Sequence, residues 1–324
     1  MLPLWPESAN APAAPSTHLL GVVEFATGVN LTPDPHPRLT LSVPPLGSSA
    51  QRFELWRSAM PVRHGCRGDI VFARNDEALF GAIVSDEADV ERAVLRAYRE
   101  ILDLLRAEQV PHLLRVWNYV RDINGGKGDA ERYKRFCAGR HEALVGAGWA
   151  KGDFPAASAV GMRSGGLAIY FVASRTRGTH VENPRQVSAY DYPRRYGQHR
   201  PSFARATATR FGSEALLFIS GTSSVVGYET QHAGVVVAQL RETLTNLDRI
   251  ATAAGEAIGE RSGLGAVRFA KTYLRRASDY AVVAAELATA LPAADILFAE
   301  ADICRADLLL EIEAVGRVAS TARA

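Results

Sequence analysis

The spacing of apolar and polar residues changes period along the chain, and the change occurs twice. Runs with a strand's two-residue alternation occupy 19–26, 38–43, 53–60, 69–73 and 78–84. The segment DEADVERAVLRAYREILDLLRA then places Val90, Val94, Ala97, Ile101 and Leu104 on one helical face, and Ser85 or Asp86 is expected to cap it. HLLRVWNYVRDI reads as a strand, GGKGD as a glycine-rich turn, and about 129–145 as a second helix. ALLFISGTSSVVG begins the order again as a strand and turn. A long helix follows over 235–254, with Val237, Leu240, Leu244 and Leu247 on one face. AVRFAKTYLRR is the next strand, and 278–290 the next helix. ILFAEADICRADLLLEIEAVGR closes the pattern as two strands, 296–304 and 308–315, around a turn at Arg305–Asp307. Two further strands are expected near 167–175 and 203–210.

The two halves share more than order. Tyr119-Val120-Arg121 and Tyr273-Leu274-Arg275 fall at matching places, 154 positions apart. The pattern predicts an α+β fold made of a duplicated unit, each an antiparallel sheet with helices packed on one face. Nine of the sixteen prolines lie within residues 1–45, so the opening residues are expected to form an irregular arm. The division expected is 1–50 for a proline-rich arm and first strands, 51–150 for the first unit, 151–200 for a connecting segment and 201–324 for the second unit.

With 324 residues, 47% of them hydrophobic, there is ample material for a core. A net charge of +2 argues against a nucleic-acid partner. No apolar run approaches the roughly 18 residues of a membrane helix. The first lysine or arginine is Arg38, so no charged region precedes an apolar signal segment. Three cysteines without a CxxC pair, and eight histidines without HxH or HExxH spacing, predict a cytoplasmic protein with reduced thiols and no metal. GGKGD lacks the spacing of a phosphate loop, and no G-x-S-x-G elbow occurs.

The candidate chemistry is acidic. On the last predicted strand Leu309, Glu311 and Glu313 share one face, and on the strand before it Glu300, Asp302 and Cys304 do. Carboxylates crowded on half-buried strands repel one another and lose solvation, which favours a protonated acid near neutral pH. The plainer alternative is that Asp302 and Glu313 lie at the surface, paired with arginines. YDYPRRYGQHRPSFARATATR interleaves Arg194, Arg195, Arg200, Arg205 and Arg210 with Tyr190, Tyr192, Tyr196 and Phe203. That suits a small anionic, cyclic substrate, or simply a solvated basic loop. Arg140 reads as a charge near a helix C-terminus, complementing its dipole. Cys66, between arginines in RHGCRGD, reads as a surface residue.

RVWNYVRDIN, ERYKRFCAGRHEAL, FPAASAVG, ISGTSSVVGYET and EADICRADLLLEIEAVG together resemble the chorismatases, which look like fused RidA (YjgF)-type domains. The resemblance spans residues 114–317. It implies duplicated RidA-like, chorismate-mutase-like domains in a pseudo-trimeric arrangement. The working state would be a monomer or a small homo-oligomer. It implies chorismate as substrate, no cofactor, and Glu311 as the acid that protonates the enolpyruvyl ether. Cys304 and Gly221 match the subtype that forms 3-hydroxybenzoate and pyruvate, with 4-hydroxybenzoate as a second product of some members. Arg140 and Arg205 are expected to hold the substrate carboxylates, with Tyr192 beside them. Simple RidA deaminases carry an arginine on the penultimate strand, and here no arginine occurs between Arg276 and Arg305. The competing readings are hydrolysis of chorismate to a dihydroxycyclohexadiene carboxylate, imine deamination, and non-catalytic binding of small acids.

Overall fold

The structure, a computed structural model, describes residues 2–47 and 52–319. The first sheet holds β1 (Trp5–Ala9), β2 (Leu19–Phe25), β3 (Asn30–Thr32), β4 (Arg38–Leu41) and β5 (Arg52–Arg57), in the order β1-β5-β2-β4-β3. The second is built from β6 (Arg63–Arg67), β7 (Ile70–Arg74), β8 (Ala78–Ser85), β9 (His112–Arg121), β10 (Ala156–Met162) and β11 (Leu167–Ser174). Its order is β10-β9-β11-β8-β7-β6, and it carries α1 (Val90–Ala107) and α2 (Arg132–Gly146). The third begins with β12 (Thr179–Val181), β13 (Ala206–Phe211) and β14 (Glu214–Thr222). A two-stranded ribbon, β15 (Val225–Val226) and β16 (Glu229–Thr230), interrupts it. It is completed by β17 (Val267–Leu274), β18 (Asp295–Glu300) and β19 (Leu310–Ala319), with α3 (Val236–Glu256) and α4 (Tyr280–Ala290). Its order is β12-β13-β14-β19-β17-β18. No helix among the described residues is long and apolar enough to cross a membrane.

The second and third sheets are copies: strand for strand, β10-β9-β11-β8-β7-β6 matches β18-β17-β19-β14-β13-β12. The register carries the match to single residues. Tyr119 on β9 faces Ala168 on β11, and Tyr273 on β17 faces Glu311 on β19. One step further, Trp117 faces Tyr170 where Lys271 faces Glu313. The first sheet repeats four adjacent strands of this order without helices: β1, β2, β4 and β5 pair with the same directions as β8, β9, β10 and β11.

Each helix pair buries one face of its own sheet. Val90, Val94, Ala97, Ile101 and Leu104 of α1 pack against Ile83, Val116 and Phe171, and Leu240, Leu247 and Ile250 of α3 pack against Leu217, Ala270 and Ile312. The opposite faces converge on one shared core, with Phe25 and Trp56 from the first sheet, Trp117 and Tyr170 from the second, and Phe218 and Tyr273 from the third. Trp117 stacks on Tyr170 with centroids 4.5 Å apart.

Several expectations from the sequence need correction. The closing strands are not a hairpin, because β17 lies between β18 and β19 and pairs with both. The link 301–309 therefore crosses the end of β17, and Asp302 and Cys304 lie on it rather than on a strand. The sheets are mixed: β9–β10 and β17–β18 run parallel, as strands joined through α2 and α4 must when the chain returns to the same end. Trp5–Ala9, expected within an irregular arm, pairs with β5. Asp89, not Ser85 or Asp86, caps α1 by accepting from the backbone N–H groups of Glu91 and Arg92.

Candidate active site

A cavity of about 620 Å³ opens between the second and third sheets. Tyr133 and Arg140 enter from α2, Ser158 from β10, Gly221 from β14 and Glu311 from β19. The link 301–309 supplies Cys304 and Arg305, and the loop before β13 supplies Tyr192, Phe203 and Arg205. All six residues singled out from the sequence thus line one cavity.

Glu311 lies at its floor. The side chain is buried, and Oε1 has no hydrogen-bond partner among the described residues. Burial, with the negative charge of Glu313 behind it, pushes its carboxyl up to about 8, against the opposing pull of Arg115 and Arg205. The acid is therefore protonated at neutral pH. Gly221 makes room for it: a Cβ there would run into Glu311 Oε1 and sit 3.1 Å from Ser158 Cβ. Burial and the Glu311 charge push the Cys304 thiol up to about 12, so it stays protonated.

The cations stand across the cavity. Arg140 is 1% exposed, and its Nε and Nη2 have no partner among the described residues. It sits mid-helix rather than at the end of α2, with Phe136 and Phe203 rings 4.9 and 5.7 Å from its guanidinium carbon. Arg205 precedes β13 rather than lying within it. Its Nη2 donates to the Tyr192 hydroxyl at 2.6 Å, while Nε is buried and unpartnered. Tyr192 thus anchors Arg205, and its ring lies 5.2 Å from the guanidinium carbon of Arg305. Buried guanidinium donors without partners make a receptor for carboxylates.

The other basic residues of the tyrosine-rich segment are already engaged, Arg195 at the rim of the same cavity. Arg194 pairs with Asp129 and Arg195 with Glu229 at the surface, Arg200 donates to the Tyr192 carbonyl, and Arg210 pairs with Glu260. Glu300 and Asp302 are likewise paired, with Arg163 and Arg275, facing solvent rather than the acid. Cys66 is exposed. Sequence reasoning did not find Tyr133, Ser158 or Arg305. Ser158 sits in an otherwise apolar strand, AASAVGM, which was its one signal.

The family profile described as "Chorismatase FkbO/Hyg5-like, N-terminal" matches residues 54–173. A 3-hydroxybenzoate synthase of Streptomyces hygroscopicus is 37% identical over 310 residues, 92% of this chain and 91% of that protein. A chorismatase of Streptomyces rapamycinicus is 35% identical over 92% of each chain. The crystal structure of a chorismatase superposes with a TM-score of 0.88 at 32% identity, covering 97% of this chain and 98% of that one.

Proposed function

The chain belongs to the chorismatase family, and on that footing we propose that it converts chorismate to 3-hydroxybenzoate and pyruvate. The observation that carries the reading is Glu311: a buried carboxyl, protonated at neutral pH, with one oxygen free of protein partners at the floor of a cavity that holds two buried guanidinium groups. Arg140 and Arg205 take the two substrate carboxylates, and Tyr192 fixes Arg205 in place. Glu311 delivers its proton to the terminal methylene carbon of the enol ether and leaves an oxocarbenium-like ether carbon. With the ring's own hydroxyl participating, pyruvate departs and the ring aromatises by losing a proton. Chorismate contains the same atoms as the two products together, so no water is consumed and the proton given is matched by the proton lost.

Cys304, held as a thiol, is no nucleophile here. It presents a small soft surface beside the acid, where it steers the ring product. Two sheets of one chain wall the cavity, and the working unit is read as a monomer or a small homo-oligomer. A free thiol at the site suits a reducing compartment such as the cytoplasm.

The test is to mix purified protein with chorismate, follow pyruvate, and identify the ring product by chromatography. Pyruvate with 3-hydroxybenzoate is expected, and Glu311→Gln should lower the rate by about 10²-fold or more while the fold persists. A non-aromatic diol would overturn the roles of Cys304 and Gly221. Absence of pyruvate would sink the whole reading.

A further inference from the structure

Behind Glu311 lies an ion network that meets the cavity at Ser158 and that the proton transfer to substrate does not itself use. Glu313 is 2% exposed, yet both its oxygens are saturated. Oε1 accepts from Lys271 Nζ at 2.8 Å and from the Tyr273 hydroxyl at 2.9 Å. Oε2 accepts from Arg115 Nη2 at 2.7 Å and from the Ser158 hydroxyl. Lys271 reaches on to Glu54 at 2.8 Å and to the Tyr170 hydroxyl. Burying so many charges rarely stabilises a fold beyond what apolar residues of the same volume would give, so their presence directly behind the acid asks for another reason.

The geometry supplies one. Glu311 and Glu313 are two residues apart on β19, on the same face, with Tyr273 and Lys271 directly opposite on β17. Two carboxyls so placed cannot readily both ionise. The protein settles which one does by giving four donors, two of them cations, to Glu313 and leaving Glu311 Oε1 bare. Burial alone would push Glu313 up. The charges of Lys271 and Arg115 overcome it and hold Glu313 below the usual carboxylate range. The other groups facing Glu311 are Arg115 on β9, Arg205 before β13, the Cys304 thiol and the hydroxyl of Ser223. Of these the two arginines and Ser223 favour its ionised form; burial opposes them most strongly, and the fixed anion of Glu313 adds to burial.

We propose that Glu313, clamped between Lys271 and Arg115, is a positioning residue: the permanent anion that keeps Glu311 protonated in the resting site and draws the ring proton back to it during aromatisation. This rests on the reading of Glu311 as the acid. A carboxylate formed next to a fixed negative charge is a stronger base than an isolated one, so the group that gave the first proton is also the group best placed to recover the second. The cycle then closes without an outside proton.

The experiment is the pH dependence of kcat for pyruvate release from chorismate in wild type, Glu313→Gln and Arg115→Gln. Wild-type kcat should fall as pH rises through about 8, where Glu311 loses its proton. In Glu313→Gln that alkaline limb should move down by about one pH unit or more, and in Arg115→Gln it should move up. Damage to packing alone would lower kcat in both variants and leave the limb where it is, and that result overturns the proposal. So does a shift of both limbs in the same direction. If Glu313→Gln does not fold, Glu313→Asp takes its place: drawing the charge back should move the limb down, and an unmoved limb overturns the proposal. A folded Glu311→Gln enzyme releasing pyruvate at the wild-type rate would instead remove the acid itself, a failure distinct from an unmoved limb.

Discussion

Glu311 and Glu313 stand two residues apart on one strand and end in opposite protonation states, and this has a measurable cost. The Glu311 carboxyl sits at about 8 in the folded chain, against an ordinary 4.5. The folded state therefore keeps a proton that the unfolded chain has already released. Glu311's contribution to stability is whole below the unfolded value and is lost as pH rises through about 8. Thermal melts should show wild type losing stability relative to Glu311→Gln between those values, by on the order of a few kcal/mol. Parallel pH dependences of the two proteins would contradict the assignment. Gly221 is the other residue-scale determinant. Since a Cβ there meets Glu311 Oε1, Gly221→Ala should displace the acid and slow pyruvate release by about tenfold or more, with the fold retained on circular dichroism. An unchanged rate would mean that the carboxyl need not sit where it does. Alternation along the strand marked Glu311 and Glu313 together among apolar neighbours, and the resemblance to chorismatases singled out Glu311. The partners that decide its protonation were not legible, since Arg115 reaches Glu313 from 198 positions away.

At the scale of elements, two pieces carry the chemistry into the cavity. α2 delivers Arg140 from mid-helix, against the expectation of a charge serving the helix dipole. A buried guanidinium with unpartnered Nε and Nη2 is a burden to the fold until a carboxylate arrives. Arg140→Met should therefore raise KM for chorismate by about 10²-fold or more while unfolding stability stays level or rises by about 1–3 kcal/mol. A large loss of stability would show Arg140 to be structural. The link 301–309 delivers Cys304. Cys304→Ala should change the ratio of ring products more than the total pyruvate released, and an identical product mixture would end that role. The sequence showed that this segment was unusual but not its path. Strands adjacent in sequence suggest a hairpin, and nothing local reveals that β17, already laid down, lies between them. Strand type and helix faces depend on near neighbours and were legible; strand order depends on distant ones and was not.

Across the whole molecule, three sheets share one core, and Lys271 touches all three through Glu54, Tyr170 and Glu313. Lys271→Met leaves two buried carboxylates without their common cation and should cost about 3–5 kcal/mol in denaturant titration. Adding Glu54→Gln should recover part of that loss; equal losses in the single and double variants would mean that the lysine acts through packing alone. The duplication was legible from one short pair of matching segments. The first sheet's kinship with the others was not, because it keeps the strand order while lacking the helices that make the pattern visible.

Tyr119 and Tyr273, counterparts in the two copies, meet hydroxyl to hydroxyl at 2.7 Å. In an assembly of identical subunits, one mutation would alter both sides of such a contact at once. Joined in a single gene, the two sides are inherited together but mutate separately. That freedom has been used one step away, where the partner of Tyr119 is Ala168 and the partner of Tyr273 is Glu311. One of two equivalent positions holds a buried carboxyl and the other plain packing, a difference that a ring of identical subunits could not carry.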